Sequence, residues 1–290
     1  MTRWLPILVA MLLAPPAAAK ERVSHVSAMT YNIRLDIASD GDNAWPHRRS
    51  ALTSLVAYYA PDLVGMQEVL LNQKQAVETD LPAYQFVGAA RDDGKDKGEF
   101  SPLGFRRDRF TLLGTGTFWL SPTPNVPGKG WDAAYPRVAS WARLKDKSSR
   151  HVLLVVNTHF DHVGTTARLE SARQIRRWIS DQRKKEETVV LMGDFNSPVD
   201  SPAHDAITDA APGQIALRDT LEVSRTPHFG PLGTFTGFKT EQNPPSPIDH
   251  IFVGEGVAVL RHATLTQQTG GKLPSDHYPV LADLCIGKGC

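Results

Sequence analysis

The fold is decided by an apolar run that ends in a polar turn, Thr188-Val189-Val190-Leu191-Met192-Gly193-Asp194-Phe195-Asn196. A short apolar run bounded by a turn is typical of a strand that is buried on both faces of a sheet. Asp194 and Asn196 are two residues apart, so an extended segment places their side chains on the same side. Glycine, aspartate and asparagine also form ordinary turns, so this stretch alone does not establish a functional site.

Polar side chains occupy the same position at other predicted strands along the chain. They end or begin apolar runs at Asn32, Glu68, His159 with Asp161, Asp249 with His250, and Asp276 with His277. Open α/β sheets bind their ligands at the carboxyl ends of strands. Each residue by itself could cap a turn or face solvent, but that explanation would have to hold at every one of these strands. The repetition therefore predicts one site at a sheet edge.

The rest of the chain predicts many strands and few helices, without a repeat or a flexible linker. The longest helix is predicted over residues 165–185, which carry apolar side chains on one face and charges on the other. A strand is predicted over 234–238. Numerous strands with helices spread evenly among them indicate two packed sheets flanked by helices, rather than simple β-α alternation. We predict a single domain over residues 20–290.

Residues 1–19 have the pattern of a signal peptide. Arg3 is followed by an apolar run over 5–14 and by Ala17-Ala18-Ala19, so we predict cleavage after Ala19. The apolar run is shorter than the roughly 20 residues that a membrane-spanning helix needs. We therefore expect export to the periplasm or the exterior, without stable membrane insertion. Loss of Arg3 would reduce the 32 basic residues by one and make the chain neutral against its 31 acidic residues.

The chain has two cysteines, Cys285 and Cys290. In an oxidising compartment they could close a short loop by a disulfide bond. Two independent thiols are the alternative, and the sequence leaves both open. A structural zinc site is not expected, because a closed tetrahedral site needs further ligands.

Six short motifs occur in a fixed order: Met29-Thr30-Tyr31-Asn32, Gly65-Met66-Gln67-Glu68-Val69, Asn157-Thr158-His159-Phe160-Asp161, Gly193-Asp194-Phe195-Asn196, Ile248-Asp249-His250-Ile251 and Ser275-Asp276-His277. The ordered set resembles the endonuclease/exonuclease/phosphatase superfamily, also called the pancreatic deoxyribonuclease-like fold. The resemblance implies an α/β four-layer sandwich of two packed mixed β-sheets flanked by helices. It also implies hydrolysis of phosphate esters with a divalent cation, Mg²⁺, with Mn²⁺ or Ca²⁺ as alternatives.

The resemblance implies a metal site built on Glu68, with Asn32 beside it. Asp276 is expected either to ligate the metal directly or to hold a ligand in place. Mg²⁺ prefers a few carboxylates plus water, which suits this set. Asp194 is expected to hold the attacking water and accept its proton, and Asn196 to donate to the phosphate or the water.

Two histidines complete the expected machinery. Asp249 is expected to pair with His277, to fix the tautomer of its ring and to favour its protonated form. That pair either accepts the proton of the water or stabilises the charge that develops at phosphorus, and the sequence does not choose between these roles. His159 is a candidate general acid for the leaving oxygen.

Three further residues are candidate phosphate-binding or orienting groups. Glu99 matches a position where relatives carry a glutamate that orients the first catalytic histidine, although it could also be a solvated loop charge. Arg137 could clamp phosphate with its planar fork or form a surface ion pair. Asp161 belongs to the same motif as His159.

The chain departs from the family pattern in one segment. Relatives read roughly Ser-Pro-Ile-Phe-Tyr where this chain has Ser101-Pro102-Leu103-Gly104-Phe105. If the tyrosine hydroxyl lies near the phosphate in relatives, this chain lacks that hydroxyl. The motif then gives no basis for assigning this chain the substrate of those relatives.

The sequence favours an exported, monomeric phosphoesterase that hydrolyses a phosphodiester or phosphomonoester by in-line attack of water. Nuclease, lipid phosphodiesterase and small-molecule phosphodiesterase all stay open. A near-neutral charge gives no electrostatic footprint for nucleic acid, which binds through Lys and Arg contacts to phosphates, and a small soluble ester fits better. The alternative is a non-catalytic module that binds phosphate or a partner on the same scaffold. That alternative predicts loss of site residues, which are intact here.

Overall fold

The computed structural model describes residues 23–210, 213–241 and 245–290, so the predicted signal peptide and its cleavage site lie outside the described residues. Within these ranges the chain forms two six-stranded mixed sheets. The first sheet has the order β11 (Val257–Thr264), β12 (Val280–Ile286), β1 (Ser24–Asn32), β2 (Leu63–Gln67), β4 (Leu103–Arg106), β3 (Tyr84–Val87). The second has the order β5 (Phe110–Trp119), β6 (Val138–Asp146), β7 (Val152–His159), β8 (Thr188–Asp194), β10 (Asp249–Val253), β9 (Arg218–Asp219).

Helices cover the outer faces of both sheets. The first sheet is covered by α1 (Trp45–Tyr59) and α2 (Leu71–Asp80), and the second by α3 (Thr165–Gln182) and α4 (Pro202–Thr208). A 3-10 helix (Ala38–Asn43) and the short α5 (Thr220–Val223) complete the elements of the described ranges. No helix in these ranges has the length and apolar character needed to cross a bilayer.

Strands in the middle of the sandwich are buried on both faces. In β1, Val26 and Ala28 pack between the two sheets, whereas Met29 and Tyr31 pack beneath α1 and α2. The strand β8 behaves in the same way, because its alternate side chains pack between the sheets and beneath α3. Burial on both faces explains why the strands read as continuous apolar runs. The predicted four-layer sandwich is confirmed.

Two details of the predicted elements are wrong. Residues 234–238 do not form a strand, since their pairing is limited to a single bridge between Phe235 and His277. Hydrogen bonds from side chains hold this segment as a loop: Thr234 Oγ1 accepts from the amide of Ile248, and Thr236 Oγ1 donates to the carbonyl of Asp276. The longest helix ends at residue 182 rather than 185, because the chain turns there toward β8.

Cys285 and Cys290 form a disulfide bond. Cys285 lies in the last strand of the first sheet, β12, and Cys290 lies in the segment that follows it. The bond therefore ties that segment back to the sheet, and it decides between the two alternatives that the sequence left open.

The departure from the family pattern at Gly104 and Phe105 is explained by packing in β4. Phe105 is 1% exposed and lies in the core between the sheets, away from the polar strand ends. Gly104 faces the opposite side of the strand, where a Cβ atom would lie 2.5 Å from a ring carbon of Phe86 and 2.7 Å from Val64. Phe86 thus occupies the space that a larger side chain at 104 would need.

We expect Gly104→Ala to lower the free energy of unfolding by about 1–3 kcal/mol, because the new methyl group overpacks a closed part of the core. Urea denaturation measures the change. Gly114→Ala is the matched control in a strand, since its Cβ would meet Trp141 at an ordinary 3.7 Å. Equal stability of the two variants would contradict this account of the packing.

Candidate active site

Strand pairing brings the polar strand ends to one edge of the sandwich. In the first sheet β1 and β2 are parallel, so Asn32 and Glu68 leave the sheet at the same end. In the second sheet β7 and β8 are parallel with His159 opposite Asp194, and β10 is antiparallel with Asp249 opposite Asp194. Three site residues of the second sheet therefore lie in one row across neighbouring strands.

The carboxylate of Asp194 lies at the centre of this group. It is 1% exposed, and its Oδ2 accepts a hydrogen bond of 2.9 Å from Asn32 Nδ2. The same oxygen lies 3.4 Å from His159 Nε2 and 3.9 Å from His277 Nε2. Burial, with the negative charge of Asp249 nearby, raises the pKa of Asp194 to about 7. An amide of the first sheet and two imidazoles thus surround one carboxylate.

His277 is held by the carboxylate of Asp249. Its Nδ1 donates to Asp249 Oδ2 over 2.8 Å. Burial lowers the pKa of His277, but Asp249 and Asp194 offset that effect and raise the pKa to about 10. The ring is therefore a cation at neutral pH, with its Nε2–H directed toward Asp194. The exposed ring of Phe235 lies 5.0 Å from the ring of His277.

His159 has the opposite environment. Its Nδ1 lies 3.0 Å from Arg137 Nη1, a group that can only donate, so the Nδ1 of His159 accepts and the ring proton is placed on Nε2. Burial and the charges of Arg137 and Arg91 hold the pKa of His159 well below its usual value. His159 is therefore neutral, with Nε2–H facing the carboxylate of Asp194.

Arg137 is buried, and each of its guanidinium nitrogens has a partner. Nη1 lies beside His159, Nε donates to Asp161 Oδ1 over 3.3 Å, and Nη2 lies 3.0 Å from His162 Nδ1. Arg137 therefore orients neighbouring side chains in this structure, and its predicted contact with phosphate stays a prediction.

Glu99 forms its short contact, 2.6 Å, with Arg91 and lies 3.8 Å from His159 Nδ1.

Asp161 supports the loops on this side of the site. Its carboxylate accepts from Arg137 and from backbone amides, among them those of Gly164 at 2.8 Å and Ala134 at 3.1 Å. Although burial raises the pKa of Asp161, these donors lower it to about 2. Asp161 is thus a permanent anion that joins the loop before β6 to the start of α3.

Asn196 lies beside His159 at the edge of the group around Asp194. Its Nδ2 lies 3.1 Å from His159 Nε2 and donates to the carbonyl of Phe160 over 3.1 Å. Its backbone amide donates to Asp194 Oδ1, and its φ of 45° places it in the left-handed region. The turn begins at Gly193, where any Cβ would collide with the carbonyl of Thr158 on the parallel strand. The tight strand pairing and the turn therefore require glycine at that position.

Two further carboxylates form a candidate metal centre beside Asn32. Glu68 Oε1 accepts from Asn32 Nδ2 over 3.0 Å, so one amide group bridges Glu68 and Asp194. Asp276 lies close enough for the charge of Glu68 to add to burial in raising the pKa of Asp276. The guanidinium of Arg34 lies 3.9 Å from Glu68 and 3.8 Å from Asp276. A partly exposed carboxylate, Glu68, and a buried one, Asp276, that repel each other fit a hard cation that keeps several waters.

Asn32 presents its amide nitrogen, rather than its oxygen, to Glu68 and Asp194, while its Oδ1 accepts from the amide of Arg34. In this arrangement Asn32 positions the two carboxylates. Its direct ligation of a metal stays a prediction, as do the ligand roles of Glu68 and Asp276.

Two groups of three side chains in the described ranges offer ligand-type atoms within 4.8 Å of one another: Asp194, Asp249 and His277, and His204, Asp219 and His250. In the second group, the nitrogens of His204 and His250 lie 3.2 and 2.8 Å from Asp219 Oδ2, which are hydrogen-bond distances. His250 Nε2 also donates to the carbonyl of Ser197 over 3.0 Å. This group therefore supports the turn after Asp194 from the inside.

A model of the endonuclease/exonuclease/phosphatase family matches residues 29–277. This chain belongs to that family. The match spans every motif from Asn32 to His277, so the family assignment rests on the same strand ends that form the site.

Solved structures of family members from Bacteroides thetaiotaomicron are similar to this chain. One endonuclease/exonuclease/phosphatase family protein is 35% identical with a TM-score of 0.87, and covers 92% of this chain and 97% of its own. A mannosyl-6-phosphatase is 36% identical with a TM-score of 0.84, and covers 89% of this chain and 99% of its own. An uncharacterised protein of Acanthamoeba polyphaga mimivirus is 23% identical, and this chain spans 40% of its length.

All eleven predicted site residues of this family member lie in one connected region. Asp194 contacts Asn32, His159, Asn196 and His277 directly, and the others join through these: Glu68, Asp249, Asp276, Arg137, Glu99 and Asp161.

Sequence reasoning missed Arg34, Arg91 and Asp219. Arg34 follows Asn32 by two residues, and that proximity was a usable signal. Arg91 and Asp219 lie in segments without a motif, and their placement depends on how distant segments fold together.

We expect the ring of His277 to stay doubly protonated up to about pH 10 in the metal-free protein. Asp249→Asn removes the carboxylate 2.8 Å from Nδ1, so the pKa of His277 falls. Long-range ¹H–¹⁵N NMR of the ring nitrogens measures both titrations. Asp108→Asn, which removes an exposed carboxylate paired with Arg106, is the control and leaves the titration unchanged. A wild-type ring that titrates below about pH 7 would contradict the assignment.

Proposed function

We propose that this chain is an exported, divalent-metal-dependent phosphatase that hydrolyses a small phosphomonoester by in-line attack of water. The observation that carries the proposal is the Asp194 carboxylate, which is buried between two imidazoles and held by Asn32, and whose burial raises its pKa toward neutrality. A general base works best when its pKa lies near the operating pH, because a large fraction of it is then deprotonated while it is still basic enough to accept a proton.

The proposed substrate class is a sugar phosphate. The 36% identity to a mannosyl-6-phosphatase, over nearly the full length of both chains, supports a phosphomonoester of a hexose. The near-neutral charge of the chain also favours a small ester over a nucleic acid, because duplex binding depends on many Lys and Arg contacts to phosphates.

Attack begins with a water molecule held by Asp194. The oxygen of the water bonds to phosphorus while the bond from phosphorus to the ester oxygen breaks, and Asp194 accepts a proton of the water. Asn32 and the backbone amide of Asn196 hold the two oxygens of Asp194, so the carboxylate does not rotate away from the line of attack.

His277 stabilises the phosphate rather than removing a proton. A ring with a pKa of about 10 is already protonated, so it cannot act as the resting base. Its cationic Nε2–H, 3.9 Å from Asp194, can donate to a phosphate oxygen bound beside that carboxylate. Of the two roles that the sequence left open for the pair of His277 and Asp249, we therefore propose stabilisation of the phosphate.

His159 and Asn196 serve the leaving side. The Nε2–H of His159 faces the centre and donates a hydrogen bond to the leaving oxygen, because a neutral ring can stabilise that oxygen without giving up its proton. The leaving oxygen takes a proton from solvent, to which Asp194 later returns the proton of the attacking water, and Asn196 Nδ2 donates to a phosphate oxygen. Arg137, fixed by Asp161, keeps the Nδ1 of His159 as an acceptor and thereby keeps the proton on Nε2.

Glu68 and Asp276 would hold the divalent cation, with Asn32 positioning Glu68. When bound, the cation neutralises charge on the phosphate oxygens. Arg34 lies within 4 Å of both carboxylates and supplies positive charge at the same place.

Export is supported by the pattern of residues 1–19 and by the disulfide of Cys285 and Cys290, because disulfides persist in oxidising compartments. We further propose that the exported chain acts as a monomer, since each residue assigned a role in the site lies on the same chain.

We expect Asp194→Asn to lower kcat/KM at least ~10²-fold, because the amide cannot accept the proton of the water. Phosphate release from mannose 6-phosphate and p-nitrophenyl phosphate with Mg²⁺ measures the effect, next to a panel of phosphodiesters, nucleic acids and phospholipids. Asp108→Asn is the control for loss of an exposed carboxylate.

Retention of more than about a tenth of the activity in the Asp194→Asn variant would remove Asp194 as the base. A wild-type protein that binds metal but hydrolyses nothing in the panel would overturn the enzymatic proposal in favour of the binding module.

We expect Glu68→Gln to raise the Mg²⁺ concentration for half-maximal activity ~10- to 100-fold, because it removes one of two carboxylates that attract the cation. Titration with Mn²⁺ followed by electron paramagnetic resonance measures binding independently of turnover. Glu186→Gln, at an exposed position, is the control. Mn²⁺ binding by the Glu68→Gln variant as tight as by the wild type would place the metal elsewhere.

A further inference from the structure

An exposed tyrosine stands next to the leaving side of the centre. The ring of Tyr135 has a charged and an aromatic neighbour: the guanidinium of Arg91 lies 4.9 Å from its centroid, and the ring of His162 lies 6.0 Å away at an angle of 19°. Tyr135 is nevertheless 50% exposed. We call Tyr135, Arg91 and His162 the aromatic platform.

The platform is linked to His159 by two separate routes. One planar guanidinium, that of Arg137, lies 3.0 Å from His162 Nδ1 through Nη2 and 3.0 Å from His159 Nδ1 through Nη1. On the other side Arg91 contacts Glu99 over 2.6 Å, and Glu99 lies 3.8 Å from the same His159 nitrogen. The platform therefore has a fixed position relative to the histidine that serves the leaving oxygen.

The platform is also rigid. Arg91 and Arg137 are both buried, and the backbone amide of Tyr135 donates to Asp161 Oδ1 over 3.4 Å. A buried cation behind an aromatic ring, with the ring itself half exposed, leaves an ordered apolar surface open at the edge of a polar site. Such a surface suits a ligand with an apolar face, because binding removes that face and the ring from water without ordering a flexible side chain.

We propose that the aromatic platform binds the sugar ring of the leaving group. The C–H face of a pyranose packs on Tyr135, while one of its hydroxyl groups reaches the polar edge of the exposed His162. A phosphate bound between His159 and His277 places the ester oxygen at His159, and the ring that carries this oxygen then lies over Tyr135. The inference rests on the proposed phosphatase function. It adds Tyr135 as the residue that favours a phosphate ester of a sugar ring over an ester of an open-chain alcohol.

The test compares a substrate with a ring and a substrate without one. We expect Tyr135→Ala to raise KM for mannose 6-phosphate roughly tenfold, the effect of losing one stacked ring contact. Its kcat/KM for glycerol 3-phosphate, which has no ring, should stay within about twofold of the wild type, since the chemistry at His159 is unchanged. Tyr135→Phe should restore the wild-type KM, because the ring face is kept.

Tyr58→Ala, which removes a tyrosine that is 84% exposed on α1, is the control and leaves both substrates unaffected. Equal losses on both substrates would show that Tyr135 only supports His159. An unchanged KM of Tyr135→Ala for both substrates would also overturn the proposal. So would a larger effect of Tyr135→Ala on nucleoside monophosphates than on mannose 6-phosphate.

Calorimetry keeps the platform separable from the phosphatase proposal. Mannose 6-phosphate and inorganic phosphate are titrated into the wild type and into Tyr135→Ala. A loss of affinity for the sugar phosphate alone supports the platform even if the wild type hydrolyses neither ester. Equal affinities of both proteins for mannose 6-phosphate overturn it, whatever the activity.

Discussion

The burial of the Asp194 carboxylate is the constraint on which the rest of the site depends. A buried carboxylate is stable only when donors or cations surround it, and here they come from both sheets. Asn32 at the end of β1 supplies the hydrogen bond that crosses between the sheets, and His159 at the end of β7 faces the same oxygen. The alignment of the two sheets therefore sets the geometry of the centre, and the same burial raises the pKa of Asp194 to about 7.

The two histidines differ because different charges lie behind their Nδ1 atoms. Behind His277 stands the carboxylate of Asp249, which offsets burial and makes the ring a cation. Behind His159 stands the guanidinium of Arg137, which adds to the effect of burial and keeps the ring neutral. Environments that push two pKa values apart allow similar side chains to perform different tasks in one centre. Glu99 pairs with Arg91 and lies 3.8 Å from His159 Nδ1, and its orienting role stays a prediction.

The sequence predicted the family, the four-layer architecture and the strand ends, because Asn32, Glu68 and Asp194 each interrupt a run buried on both faces. Contacts between distant segments were not readable in the same way. Residues 234–238 alternate like a strand, yet side-chain hydrogen bonds of Thr234 and Thr236 hold them as a loop. Arg137 could not be separated from a surface ion pair, since its partners lie on loops that no local pattern places.

The order of strands in the first sheet has a consequence for the nascent chain. Asp276 and His277 immediately precede β12, which pairs with β1 near the beginning of the described chain. A partly synthesised chain can already carry Asn32, Glu68 and Asp194. It still lacks His277, whose protonated ring faces Asp194. The centre is therefore complete only late in synthesis, after the last strand of the first sheet can pair with β1.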